Sequence, residues 1–260
     1  MACTIAICGK GGVGKSTLAA LAVRYLAEEL GRTVLAVDAD PNATLGLMLG
    51  VSVDDTVADL REDTLGQKDG LPAGMTKTQY VEYRIQQAIG EHKGFDLLTM
   101  GRPEGPGCYC YVNNLLRTFI ERLTDDYPFV VIDNEAGMEH LSRRTNHSVD
   151  LLLVVAEPTV VGVATAERIA ELTQALPIPV RRAALVLNRV QPDGVHGAVR
   201  ERLDALDLRV VGHLPVDPDL LASSAAGDTL LSLAKDNPTY TQARALLAAE
   251  LDAIRAARPA

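Results

Sequence analysis

The chain has 260 residues and a formal net charge of −9 at pH 7, with 47% hydrophobic and 23% charged residues. This length accommodates one large α/β domain with a substantial core, and the composition is ordinary for a soluble globular protein. The acidic charge argues against general nucleic-acid binding, which needs a basic face. No stretch reaches the apolar length of a membrane span, and residues 1–9 predict a strand rather than a signal peptide. We therefore expect a cytoplasmic protein that binds neither nucleic acid nor membranes, with its four cysteines reduced.

Seven short runs rich in Val, Ile and Leu alternate with segments of helical length and spacing. Near-continuous apolar runs are typical of strands buried on both faces, and their alternation with helices predicts a doubly wound, mostly parallel sheet. We expect a single domain over residues 1–260, with functional groups at the carboxyl ends of the strands. The predicted strands are Thr4–Ile7, Thr33–Val37, Phe95–Met100, Phe129–Ile132, Leu151–Val155, Ala183–Leu187 and Arg209–Leu214. The predicted helices include Val112–Leu123, Val161–Ala175, Val195–Leu206 and Tyr240–Ala257.

The first predicted strand leads into a glycine-rich loop, GKGGVGKST, at residues 9–17. It matches the phosphate-loop pattern G-x-x-x-x-G-K-S/T in its required context between a strand and a helix. Backbone N–H groups of such a loop form an anion site at the positive end of the helix. Lys15 would contact the β- and γ-phosphates, and the Ser16 hydroxyl would ligate Mg²⁺. The predicted nucleotide-binding residues of the loop are Gly11, Gly12, Val13, Gly14, Lys15, Ser16 and Thr17.

A second lysine, Lys10, stands at the first variable position of this loop. The sequence KGGVGKST resembles the deviant phosphate loop of the family that includes the nitrogenase iron protein, the septum-site and partition ATPases and metal-insertion ATPases. The resemblance implies that Lys10 reaches the nucleotide of a partner subunit in a homodimer, so Lys10 and Lys15 are both predicted to be catalytic. The alternative for Lys10 is a solvated loop lysine.

Two aspartates follow the second predicted strand in the sequence DADPN, residues 38–42. Carboxylates at this edge of a sheet suit Mg²⁺ binding and water positioning. The resemblance matches Asp40-Pro41 to the first switch of the family, whose aspartate orients the attacking water, so Asp40 is predicted to be catalytic. Capping of a helix N-terminus is the alternative, and for Asp38 the two interpretations stay open. Asn42 departs from the lysine found here in the nitrogenase iron protein.

The fourth predicted strand ends on Asp133. An aspartate at this position is the second protein group at Mg²⁺ in phosphate-loop ATPases. Gly137 matches the switch glycine of the family, whose backbone meets the γ-phosphate. Between them, Asn134-Glu135-Ala136 stand where many relatives carry Thr-Pro-Pro, so roles of those intervening positions are not transferred.

Asn188 closes the sixth predicted strand. Its amide offers both a donor and an acceptor, which suits the exocyclic amine and ring nitrogen of adenine. The resemblance places an adenine-reading asparagine here, followed by a base loop that contains Pro215. A turn-forming asparagine is the alternative.

Two cysteines, Cys108 and Cys110, lie in a proline- and glycine-rich loop at about residues 101–111. In an extended chain, side chains separated by one residue point to the same side, so the two thiolates would supply half of a tetrahedral metal site. A two-fold symmetric homodimer would supply the other half. The alternative is that both cysteines are small buried hydrophobic residues.

The run GRPEGPGCYCYVNN, residues 101–114, resembles the metal-binding segment of the carbon monoxide dehydrogenase accessory ATPases, the CooC family. Residues 74–77, 83–84 and 133–140 fit the same family, so the resemblance spans essentially the whole chain. It implies that Cys108 and Cys110 bind Ni²⁺ or Zn²⁺ at a dimer interface. It also implies that ATP turnover with Mg²⁺ serves nickel insertion into carbon monoxide dehydrogenase, the expected partner. The alternative is an ATPase carrying an iron–sulfur cluster, as the nitrogenase iron protein does, because four cysteines across a dimer suffice by count.

Overall fold

A computed structural model describes the chain over residues 2–66, 74–101, 118, 120–135, 148–174 and 179–257. Its strands are β1 (Cys3–Gly9), β2 (Val34–Ala39), β3 (Ile89–His92), β4 (Phe95–Thr99), β5 (Phe129–Asn134), β6 (Leu151–Ala156), β7 (Ala183–Val190) and β8 (Val210–Pro215). They form one sheet in the order β3-β4-β2-β5-β1-β6-β7-β8. All neighbouring pairs are parallel except the β3–β4 hairpin at one edge. The predicted doubly wound, mostly parallel sheet is confirmed.

Helices cover both faces of this sheet. They are α1 (Lys15–Arg24) with a π-helical extension (Tyr25–Glu29), α2 (Leu45–Leu49), α3 (Val57–Gly66), α4 (Lys77–Gln87), a helical segment at 120–125, α5 (Val160–Gln174), α6 (Gly197–Asp204), α7 (Pro218–Ala226) and α8 (Pro238–Ala257). Alternate strand residues face opposite sides. Ile5 and Ile7 of β1 belong to a core cluster with α1, α2 and α8, whereas Ala6 and Cys8 belong to a second cluster with α3, α4 and α5.

The seven predicted strands are all present, and their ends differ from the observed ones by at most three residues. The sequence analysis did not name β3 or the helices α2, α3, α4 and α7. Strand β3 is a short edge strand without a continuous apolar run, and α7 has no fully buried side chain, so neither carries a strong periodic signal. The predicted helix Val195–Leu206 is shorter, at Gly197–Asp204, and residues 112–117 of another predicted helix lie outside the described residues.

The parallel arrangement brings the carboxyl ends of the central strands to one edge of the sheet. In the register of β2, β5 and β1, Asp38 lies opposite Asp133, and Asp133 lies opposite Ile7. On the other side of β1, Gly9 lies opposite Val155 of β6. The phosphate loop and both predicted carboxylate positions therefore meet at this edge, as expected for a doubly wound sheet.

Candidate functional site

The loop between β1 and α1 has a shape that only glycine permits at two positions. A Cβ atom on Gly9 would overlap the Val155 carbonyl oxygen of the neighbouring strand. Gly14, the residue before α1, has φ of 96°, and a Cβ there would overlap the side-chain nitrogen of Asn188. Positive φ and close approach both exclude ordinary side chains. The glycines of the motif thus fix the loop against β6 and β7.

Lys15 begins α1 and folds back over the loop. Its side chain is buried, and its Nζ donates to the Lys10 carbonyl oxygen at 3.4 Å. A long bond to a neutral carbonyl leaves the ammonium charge available to an anion. Lys10 itself is exposed to solvent.

Asn188, at the end of β7, is bonded to the phosphate loop. Its Nδ2 donates to the Val13 carbonyl oxygen at 2.7 Å, and its Oδ1 accepts from the Arg189 backbone N–H at 2.9 Å. Arg189 adopts φ of 60°, a left-handed conformation that is uncommon for a residue with a side chain. An amide still has one N–H and further lone pairs after these two bonds. The structure therefore gives Asn188 a positioning task at the loop, and its predicted contact with adenine stays a prediction.

Asp133 and Ser16 form the part of the site that fits a divalent cation. Asp133 is fully buried, and neither of its carboxylate oxygens has a hydrogen-bond partner of regular geometry among the described residues. Burial raises the pKa of Asp133 to about 7; the nearby Ser16 hydroxyl and Lys15 lower it, whereas Asp38 and Asp40 raise it further. A buried carboxylate without donors is costly unless a cation compensates it. Mg²⁺ prefers hard oxygen ligands, typically one or two carboxylates together with phosphate oxygens, so this pair fits Mg²⁺.

Asp38 has a structural role in the observed arrangement. Its Oδ2 accepts from the Leu45 backbone N–H at 2.8 Å, at the first residue of α2, and its Oδ1 accepts from the Asp40 backbone N–H at 3.2 Å. Burial raises the pKa of Asp38 to about 6, and the N–H groups of Leu45 and Asp40 oppose this shift. Of the two interpretations open for Asp38, the capping of a helix N-terminus is the one that the contacts favour.

Asp40 is oriented by Asn42, the residue at which the chain departs from the nitrogenase iron protein. The Asp40 Oδ1 atom accepts from the Asn42 backbone N–H at 2.9 Å and from the Asn42 Nδ2 at 2.8 Å. Asp40 is buried, with only 9% of its surface exposed. Two donors on one carboxylate oxygen restrict the rotation of the side chain, so Asn42 fixes the direction of the other oxygen.

A cavity of about 320 Å³ lies beside the phosphate loop, between α1, α2 and α7. Its lining includes Thr17, Thr44, Leu47, Met48, Leu220 and Ser224. Pro215 ends β8 on the same side, and Asp217 then caps α7 by accepting from the Leu220 backbone N–H at 3.0 Å. The sequence analysis predicted Thr17 and Pro215 as site residues but did not predict the cavity, because it named neither α2 nor α7.

The predicted residues Gly137, Cys108 and Cys110 lie outside the described residues. Within the described ranges, no group of three or more His, Cys, Asp or Glu side chains is arranged to hold a metal ion. Cys3 and Cys8 are both buried, and burial raises the pKa of the Cys8 thiol to about 12 despite the opposing charge of Lys15. A thiol with this pKa is a packing residue. In the same ranges, no helix combines the length and the hydrophobicity needed to cross a bilayer.

The parallel sheet, the glycine loop at its carboxyl edge and the buried Asp133 beside Ser16 define the chain as a nucleotide-binding phosphate-loop protein. Residues 4–230 match the family model of the CobQ/CobB/MinD/ParA nucleotide binding domain, and the chain belongs to this family. It is thus a phosphate-loop protein of the MinD/ParA type.

Two relatives align with nearly the whole chain. An uncharacterized ATP-binding protein of Methanocaldococcus jannaschii is 42% identical over 238 residues, which cover 91% of this chain and 93% of that protein. The carbon monoxide dehydrogenase accessory protein CooC of Rhodospirillum rubrum is 33% identical over 261 residues, which cover 96% of this chain and 97% of that protein. The expected resemblance to the CooC family is therefore supported by identity along the full length, although the first of these relatives is more similar.

Solved structures of septum-site proteins share the fold. MinD from Aquifex aeolicus superposes with a TM-score of 0.69 at 22% identity, covering 99% of both chains. MinD from Pyrococcus horikoshii, complexed with Mg-ADP, superposes with a TM-score of 0.70 at 22% identity, covering 99% of this chain and 100% of that one. At this identity the similarity establishes the fold alone.

Proposed function

We propose that the protein is a homodimeric ATP hydrolase that binds nickel and assists its insertion into carbon monoxide dehydrogenase. The observation that carries the delivery function is the 33% identity to CooC over nearly the full length of both chains. It is combined with Cys108 and Cys110 in the segment that resembles the metal-binding loop of that family. We retain the prediction that residues 1–260 form one domain with this loop at about 101–111.

The nucleotide half of the proposal rests on the loop geometry. The N–H groups of residues 11–17 and the Lys15 ammonium would hold the phosphates, and Ser16 and Asp133 would hold Mg²⁺. Bound Mg²⁺ supplies positive charge that neutralises the β- and γ-phosphate oxygens. We propose that the nucleoside lies beside Thr17, with Asn188 and Pro215 near the base.

Asp40 would orient the water for hydrolysis. Water attacks the γ-phosphorus, the bond to the β,γ-bridging oxygen breaks, and ADP and inorganic phosphate leave. Asn42 holds Asp40 Oδ1 through two hydrogen bonds, so the free direction of the carboxylate is fixed before substrate arrives. Prior orientation of this kind lowers the cost of reaching the reactive geometry.

Two separate arguments favour a homodimer. Lys10 is exposed on the loop, and the family resemblance implies that it reaches the nucleotide of a second protomer. One chain offers two closely spaced thiols in the metal-binding loop, whereas a tetrahedral thiolate site needs four. A two-fold axis would meet both needs at one interface. Nickel is then the cargo, and ATP affects its release only if open and closed dimers bind nickel with unequal affinity.

Metal analysis combined with mass measurement tests this proposal. Reduced wild-type protein, Cys110→Ala and Cys3→Ala as matched control are each incubated with Ni²⁺, with and without ATP. We expect about half a metal ion per chain in the wild type and in the control, and almost none in Cys110→Ala. Full nickel loading of Cys110→Ala would reject the site. Protein that carries iron and sulfide instead of nickel would support the iron–sulfur alternative.

A further inference from the structure

The hydroxyl of Thr44 is directed at the phosphate loop and not at its own helix. Thr44 directly precedes α2, a position at which threonine normally accepts a hydrogen bond from a backbone N–H of the helix. No such bond is formed by its side chain, and Asp38 Oδ2 receives the Leu45 N–H instead. Thr44 Oγ1 donates to Ser16 Oγ at 3.1 Å, joining residues that are 28 positions apart.

The backbone before Thr44 is held in an unusual conformation. Ala43 has φ of 50°, which side-chain-bearing residues rarely adopt, and its N–H donates to the Asp40 carbonyl oxygen at 3.0 Å. The far end of α2 is fixed as well, because the Leu230 N–H donates to the Met48 carbonyl oxygen at 2.8 Å. Strained conformations persist only where the surroundings determine them strongly. Here they place Thr44 against Ser16.

We propose that Thr44 is a positioning residue for Mg²⁺, acting through the Ser16 hydroxyl; this inference rests on the proposed binding of a magnesium–nucleotide complex. A hydroxyl has one rotatable O–H and two acceptor lone pairs. Because Thr44 donates to Ser16, it occupies one lone pair and directs the Ser16 hydrogen elsewhere. The second lone pair of Ser16 is then available to the cation. The Asp133 carboxylate has no hydrogen-bond partner of regular geometry among the described residues, but it lies close enough to Ser16 to interact with it. Together, Ser16 and Asp133 are the oxygen ligands that we propose for Mg²⁺ within the described residues.

The binding of ADP to purified full-length protein tests the inference, measured by calorimetry in excess Mg²⁺ and in EDTA. Thr44→Val keeps the shape and removes the hydroxyl, and Thr44→Ser keeps the hydroxyl. We expect the Mg²⁺-dependent gain in ADP affinity to fall about 10-fold or more in Thr44→Val, as for other groups that orient metal ligands. Thr44→Ser should retain the gain, and both variants should bind ADP in EDTA like the wild type. Thr44→Ala serves as a second hydroxyl-free variant if valine disturbs folding.

The EDTA measurement separates the role at Mg²⁺ from a direct role at the nucleoside, because Thr44 also lines the cavity. An equal loss of ADP affinity with and without Mg²⁺ would overturn the inference and assign Thr44 a purely structural or nucleoside-binding role. So would a full Mg²⁺-dependent gain in Thr44→Val. A wild-type protein that binds no ADP under either condition would contradict the proposed function itself, which is a distinguishable result.

Discussion

The side chain of Asn188 joins the end of β7 to the phosphate loop, through a hydrogen bond of 2.7 Å from its Nδ2 to the Val13 carbonyl oxygen. Asn188→Ala should lower the free energy of unfolding by about 1–2 kcal/mol, since it leaves a buried carbonyl without its donor. If Asn188 also contacts the base, ADP affinity should fall more than GDP affinity. Chemical denaturation and calorimetry check the two effects. An equal loss for both nucleotides would limit Asn188 to its positioning task.

Gly14, the residue after Val13, also lies against the side chain of Asn188. Gly14→Ala should be unfavourable, because Gly14 has φ of 96° and the added Cβ would overlap the Asn188 side chain. We expect a loss of about 1–2 kcal/mol in the free energy of unfolding of the nucleotide-free protein. Gly11→Ala is the matched control, because a Cβ at Gly11 would meet no atom within 4 Å. Similar losses in both variants, measured by urea denaturation, would contradict this explanation.

The raised pKa of Asp133 predicts a pH-dependent stability. The pKa of this carboxyl is about 7 in the folded protein, compared with 3.8 in the unfolded chain. Its contribution to stability is therefore fully present below pH 3.8 and is lost as the pH rises through 7. The unfolding free energy of Asp133→Asn relative to the wild type should therefore rise between pH 4 and pH 8, by on the order of 3 kcal/mol without Mg²⁺ or nucleotide. Thermal and urea unfolding across this range measure it.

The exposed Asp54 provides the control for this measurement. Asp54→Asn should follow the wild-type pH dependence, because an exposed carboxyl loses little hydration on folding. A difference between Asp133→Asn and the wild type that stays constant from pH 4 to pH 8 would show that Asp133 does not titrate in this range.

Asn42 provides a test of how Asp40 is oriented. Asn42→Ala removes one of the two hydrogen bonds to Asp40 Oδ1 and leaves the backbone donor in place. We expect kcat for ATP hydrolysis to fall about 10-fold with little change in KM, because the loss concerns orientation and not ATP binding. Steady-state phosphate release is the measurement. A rise in KM at constant kcat would indicate that Asn42 contributes to binding instead.

Lys10 allows the dimer to be tested apart from the metal. Light scattering of nickel-free wild-type protein in the presence of Mg²⁺ should show an ATP-dependent shift from monomer to dimer, and Lys10→Ala should remain monomeric. The exposed Lys93 provides a charge-matched control variant, Lys93→Ala, that should dimerise normally. If Lys10→Ala still formed dimers in an ATP-dependent manner, the proposed contact of Lys10 with the partner's nucleotide would be contradicted.

Much of this protein was determined by local sequence. The buried strands follow from continuous runs of Val, Ile and Leu, and the phosphate loop follows from glycines, Lys15 and Ser16 within nine consecutive residues. Patterns of this kind depend on the periodicity of one element or on the conformations that glycine allows, so they can be recognised without knowing what lies nearby.

Other features were decided only by tertiary structure. The bond from Asn188 to Val13 spans 175 positions and that from Thr44 to Ser16 spans 28, and no local pattern predicts either partner. Asp38 could equally have faced a metal or capped a helix until α2 was placed against it. The burial that raises the pKa of Asp133 likewise arises from the packing of β5 between β1 and β2. Sequence names the groups that the chain offers, but the hydrogen bonds and the loss of hydration that set their chemistry come from segments brought together by folding.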